Sequence, residues 1–174
     1  MNTRNNAVSR PQLVLLCGLP GSGKTTVARE RERLTGAIRF STDEWMAALG
    51  VDFFDEIRDR LQVRLDELWK ELLQHGQSVI LEDGTWKREE RDELRRIAKD
   101  LNASTEIHYF DIPFAELWRR LDVRNANPTY GAVPITMELL EESRQRFERP
   151  DRAELSLFDR CILHSLAGRT RIGQ

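Results

Sequence analysis

Short apolar runs alternate along this chain with longer stretches of helical period. Leu13 to Cys17 (LVLLC) is unbroken apolar, as a parallel strand covered on both faces requires, and Ser78 to Leu81 and Ile107 to Phe110 read the same way. Ile38 to Phe40 and Cys161 to Leu163 are shorter strand candidates. Between them the period changes: Ile57, Leu61, Leu65, Leu68 and Leu72 line one helix face, and Leu94, Ile97, Ala98 and Leu101 another. Gly76 ends the first of these helices. Further helices are expected over Phe114 to Val123 and from Thr136, a suitable N-cap, to about Phe147 before Pro150. The intervening RNANPTYGAVPI is rich in turn residues and reads as mobile. The alternation of strand and helix predicts one three-layer α/β domain over residues 11–174, after a disordered tail of residues 1–10.

Composition narrows this picture without changing it. The 174 residues are 40% hydrophobic and 32% charged, an ordinary globular balance, and a chain of that length folds without a metal or disulfide staple. A formal charge of −2 argues against coating nucleic acid by net charge alone. The polar start MNTRNNAVSR and the lack of a long apolar run predict a cytoplasmic protein without a membrane span. Cys17 and Cys161 lie in apolar runs and read as core residues, and His75, His108 and His164 are too dispersed for a recognised metal spacing.

The chemistry starts at Gly18-Leu19-Pro20-Gly21-Ser22-Gly23-Lys24-Thr25, which fits G-x-x-x-x-G-K-[ST] and lies between an apolar strand and a helical segment. In that setting backbone N–H groups turn inward around phosphates at a helix N-terminus. The reading is a nucleotide site formed by Gly18 to Thr26, in which Lys24 reaches the β- and γ-phosphates and Thr25 ligates Mg²⁺. The chain is too short for the added subdomains of helicases or ring ATPases, which favours a compact phosphotransferase using ATP and Mg²⁺.

Asp43 follows the second strand candidate, where a parallel sheet presents residues at its carboxyl edge, and reads as the base for an acceptor hydroxyl or as a helix cap. Asp83 ends the run Val79-Ile80-Leu81 and reads as a carboxylate that holds Mg²⁺ through water or orients the substrate, ahead of its neighbour Glu82. Trp45 and Trp86 follow these two acids and are candidates either for a stacking platform or for wall packing. Arg119, Arg120 and Arg124 lead into the turn-rich segment and read either as a solvated helix face or as part of a lid over about 119–135 that closes on the nucleotide, with Arg120 a nucleotide-binding candidate and a guanidinium on the transferring phosphoryl group. Arg88, Arg91, Arg95 and Arg96, interleaved with acids, read as a solvated helix face.

Together these segments resemble the P-loop kinase cluster of the 5′-hydroxyl polynucleotide kinases, zeta toxins and chloramphenicol phosphotransferases, over roughly Leu13 to Phe147. The resemblance rests on the loop, Asp43-Glu44-Trp45, Asp83-Gly84-Thr85-Trp86, His108 to Pro113 and Ala132-Val133-Pro134-Ile135. It implies an adenylate-kinase-like, five-stranded parallel sheet with helices on both faces, Asp43 as general base and Arg124 as lid arginine. Met46 departs from the pattern, standing where the polynucleotide kinases have a substrate-binding arginine. The expectation is a kinase for a hydroxyl of a small-molecule acceptor. A nucleic-acid 5′-hydroxyl acceptor and an ATP-binding switch without an acceptor are the alternatives.

Overall fold

The computed structural model describes residues 10–52, 55–127 and 134–172. The expected tail therefore lies outside the described residues, apart from Arg10. Five strands run parallel: β1 (Gln12–Cys17), β2 (Ile38–Phe40), β3 (Val79–Gly84), β4 (Ser104–Phe110) and β5 (Arg160–Ser165). A sixth, β6 (Gly168–Ile172), pairs antiparallel with β5, so the sheet order is β2-β3-β1-β4-β5-β6. The five parallel strands stand where the apolar runs predict them. The antiparallel edge strand is an addition: GRTRI has no apolar face to signal it, and its pairing comes from a hairpin with β5.

Helices cover both faces. They are α1 (Lys24–Thr35), α2 (Thr42–Ala48), α3 (Ile57–Gln74), α4 (Arg88–Asp100), α5 (Phe114–Ala126), α6 (Met137–Arg146) and the four-residue α7 (Arg152–Leu155). Thr136 caps α6 as expected, accepting from the Leu139 N–H. None of the described helices is long and apolar enough to cross a membrane.

The period-2 alternation of the strands divides the core in two. Leu13, Leu15, Cys17, Val79 and Leu81 join Leu65, Trp69 and Leu73 of α3 on one face, while Val14, Leu16 and Ile80 join Val27, Ala28, Leu117 and Leu121 on the other. Both cysteines are buried and unbonded to one another. Because β1 feeds the phosphate loop and β3 ends beside it, this alternation decides which acid of Glu82-Asp83 meets which helix.

Two histidines separated in sequence meet in the sheet. His108 Nδ1 lies 2.9 Å from His164 Nε2, and His108 Nε2 lies 2.6 Å from the buried Glu106. Arg31 at 2.9 Å and Arg160 at 3.5 Å supply cationic partners to the same carboxylate.

Candidate nucleotide and acceptor site

The loop from Gly18 to Gly23 turns sharply out of β1 into α1. Gly21 has φ +78°, and a Cβ there would sit 2.9 Å from Leu121 Cγ and 3.1 Å from the Leu117 carbonyl. Gly23, the residue before α1, has φ +98° and nothing within 4 Å of an added Cβ, so its glycine answers the backbone conformation rather than a close neighbour. Lys24 folds back over the loop, donating from Nζ to the carbonyls of Gly18 at 2.9 Å and Leu19 at 3.0 Å. Burial pushes its ammonium pKa down, while the charges of Glu82, Asp43 and Asp83 oppose the shift. The buried Ser22 hydroxyl has no hydrogen-bond partner among the described residues. A glycine turn at a helix N-terminus, with an unpartnered buried hydroxyl and a lysine resting on the loop's own carbonyls, fits a phosphate chain.

The Thr25 hydroxyl donates to Glu82 rather than to Asp83. Glu82 shares a strand face with Ile80, on the side that α1 covers, and is also held by Arg39 at 2.7 Å. Arg39 further pairs with Glu44, and these hydrogen bonds outweigh burial in raising its pKa. Asp83 points to the opposite side: it accepts from the Thr42 N–H at 3.0 Å and the Thr42 hydroxyl at 2.7 Å. Of the two neighbouring acids, Glu82 is therefore the one beside Thr25 and Asp83 the one beside Thr42. Removal of solvent by the surrounding protein raises the Asp83 pKa to about 6, and the negative charge of Asp43 adds to it.

Asp43 lies in the first turn of α2, and its side chain pairs with Arg58 of α3 at 2.8 Å. Its charge acts on Lys24 and also on Arg124, where it opposes the downward pull of burial. Asp43 is thus the charge common to Lys24 and Arg124, while its own ion-pair partner is Arg58. Arg120 donates to the Ser22 carbonyl at 3.5 Å and to Glu116 at 2.7 Å, which places it on the loop. Arg119 is engaged with Glu116 at the surface. All three arginines belong to α5, so the expected lid begins inside a helix, and its residues 128–133, including Ala132 and Val133, lie outside the described residues. Asn125 of α5 bonds both the N–H and the carbonyl of Ile135 beyond that segment.

The tryptophans separate in role. Trp86 donates its indole N–H to the Gly18 carbonyl at 3.3 Å, so it supports the loop from below, whereas Trp45 is 45% exposed on α2. Thr26 is exposed in the first turn of α1, and Met46 is buried in the core.

Arg91 corrects the expectation of a solvated face. Arg88 and Arg96 are exposed, but Arg91 is fully buried and donates to the carbonyls of Thr85 at 3.0 Å, Trp86 at 2.9 Å and Glu148 at 3.0 Å. Its partner is Glu154 of α7, at 2.5 and 3.1 Å. Five hydrogen bonds make Arg91 the pin of the β3–α4 turn that carries Trp86 to the loop.

A parallel sheet of order β2-β3-β1-β4-β5 with a phosphate loop between β1 and α1 defines a P-loop nucleotide-binding fold of the kinase type. Residues 13–150 match the AAA_33 family, described as an AAA domain, and the chain belongs to that family. No curated protein matches it significantly. Among solved structures, Chaetomium thermophilum Kti12 in complex with ADP-AlF3 is similar at TM-score 0.66 and 20% identity, covering 88% of this chain and 89% of that one. A sugar kinase from Janibacter sp. HTCC2649 gives TM-score 0.61 and 22% identity over 90% and 86%. The Mycobacterium tuberculosis APS kinase CysC in complex with AMPPNP and APS gives 0.56 and 22% over 82% and 85%.

Proposed function

We propose that this chain is an ATP- and magnesium-dependent kinase that transfers the γ-phosphate to a hydroxyl of a small-molecule acceptor. The observation that carries the reading is geometric: Lys24 rests on the Gly18 and Leu19 carbonyls, its neighbour Thr25 bonds Glu82, and Arg58 holds the Asp43 carboxylate in the first turn of α2. The kinases among the similar structures support the same reading.

In the proposed reaction Lys24 leaves the Gly18 and Leu19 carbonyls for the β- and γ-phosphate oxygens of ATP. The acceptor oxygen attacks the γ-phosphorus in line: its bond to phosphorus forms as the bond from phosphorus to the β,γ-bridging oxygen breaks, and the electron pair leaves on ADP. The hydroxyl proton passes to the Asp43 carboxylate, which Arg58 orients. Arg124 and Lys24 stabilise charge on the transferring group. Thr25 and Glu82, two hard oxygen donors side by side, are the residues that would hold magnesium, whose chemistry is to neutralise charge between the β- and γ-phosphates.

The test is transfer of labelled γ-phosphate from ATP with Mg²⁺ to polyols, sugars, nucleosides and 5′-hydroxyl oligonucleotides. Label on a small hydroxyl compound is the expected result. ATP binding with no acceptor labelled would overturn the kinase reading in favour of a nucleotide-controlled switch, and label on oligonucleotides alone would move the acceptor to nucleic acid.

A further inference from the structure

Next to the proposed base, a cleft of about 360 Å³ opens between α3 and α4 on the sheet face opposite α1. Its size is that of a small-molecule site. Phe40, Leu65, Leu81, Leu94 and Ile97 with the ring of Trp69 give it an apolar floor. Around this floor stand Asp66, Asp83, Glu90 and Glu93.

The two cations on the wall are already engaged. Arg58 pairs with Asp43, and Lys70 lies 5.3 Å from the centre of the Trp69 ring. By contrast, none of the four carboxylates has a cation within 4.0 Å among the described residues. Asp66 is oriented by neutral donors, Gln62 at 3.0 Å and the Trp69 indole at 2.9 Å, and Glu90 takes the Lys87 N–H at 3.3 Å. A second feature points to a missing occupant: Thr85 on the same wall is 4% exposed, and its hydroxyl has no hydrogen-bond partner among the described residues.

We infer that the acceptor of the proposed kinase is a small amine-bearing alcohol, bound in this cleft with its cationic amine toward Glu90, Glu93 and Asp66 and its hydroxyl toward Asp83 and Asp43. This rests on the kinase reading above and adds the charge class of the substrate. Four carboxylates without an ion-pair partner among the described residues, against two cations on the same wall, leave the cleft net negative, which attracts an ammonium with an apolar body and repels phosphate or carboxylate groups. The same field disfavours a nucleic-acid end, which brings its own phosphates.

The experiment measures ATP-dependent transfer by the full chain to two sets that share a scaffold and differ in charge: glucosamine, N-acetylglucosamine and glucuronate, and phenylserinol, N-acetylphenylserinol and N-acetylphenylserine. In at least one set the cationic member is expected to exceed both others by roughly tenfold in kcat/KM. The double variant Glu90→Gln/Glu93→Gln is expected to raise KM for that amine by about tenfold, with KM for ATP unchanged. The glutamine at 90 retains the cap on Lys87, so folding is kept. Transfer that favours the neutral or anionic members, or an amine KM unmoved by the double variant, overturns the inference and leaves the kinase intact. Absence of transfer to every member, with ATP bound, overturns the kinase reading together with the inference.

Discussion

The Thr25 hydroxyl donates to Glu82, while the next residue, Asp83, turns away to Thr42 on α2. One strand end thus serves two helices, the phosphate loop's α1 through Glu82 and α2 through Asp83. Glu82→Gln is expected to weaken the magnesium dependence of transfer roughly 10–100-fold, measured as the Mg²⁺ concentration for half-maximal rate. Asp83→Asn is expected to leave that concentration unchanged and to alter KM for the acceptor instead. The reverse pattern would reassign the metal side to Asp83.

Trp86 and Lys24 meet on one acceptor, the Gly18 carbonyl. Trp86→Phe removes the indole N–H and keeps most of the ring, so it costs the loop about one hydrogen bond, ~1 kcal/mol. ATP affinity, read by calorimetry, is expected to fall roughly fivefold. An unchanged affinity would make Trp86 a packing residue only.

Arg91 and Glu154 form a buried ion pair whose separation of 63 residues joins α4 to α7. Arg91→Met leaves Glu154 charged, buried and without its cation, which costs about 3–5 kcal/mol in chemical denaturation. Replacing both partners, Arg91→Met with Glu154→Leu, is expected to recover part of that loss.

Why this pair escapes a reading of the sequence is clear from its surroundings. In REERDELRR every position is charged or near a charge, so Arg91 looks like its exposed neighbours, and the contact that buries it arrives from far along the chain. The parallel strands were legible because burial on both faces demands unbroken apolar runs, and the phosphate loop because its glycines answer a backbone requirement. The four residues of α7 and the polar β6 carry no period to detect. Glu82 was within reach: strand alternation groups it with Ile80 on the face of α1, the helix that carries Thr25. Arg58 was not, since nothing in the spacing of Asp43 and α3 indicates that they meet.

His164 has its pKa pushed down to about 4 by burial, with His108 and Arg169 adding to the shift and Glu30 opposing it. An unfolded chain protonates this residue at its ordinary value of about 6.5. Between those values the unfolded state binds more protons, so stability is lost as pH falls through the window, by on the order of 2–3 kcal/mol. His164→Phe, which keeps the stacking on Phe110 at 4.3 Å, is expected to flatten the urea midpoint between pH 6.5 and 4 relative to the unsubstituted chain. Parallel pH profiles would mean that His164 does not stay neutral in the fold.

Asp43 is the residue on which the proposed chemistry turns, and Asp43→Asn tests it most directly. The amide retains the shape of the carboxylate but accepts no proton. The account predicts that ATP binding, measured by calorimetry, is kept while labelled transfer to the acceptor falls by ~10² or more. Transfer equal to that of the unsubstituted chain would contradict it and remove Asp43 from the mechanism.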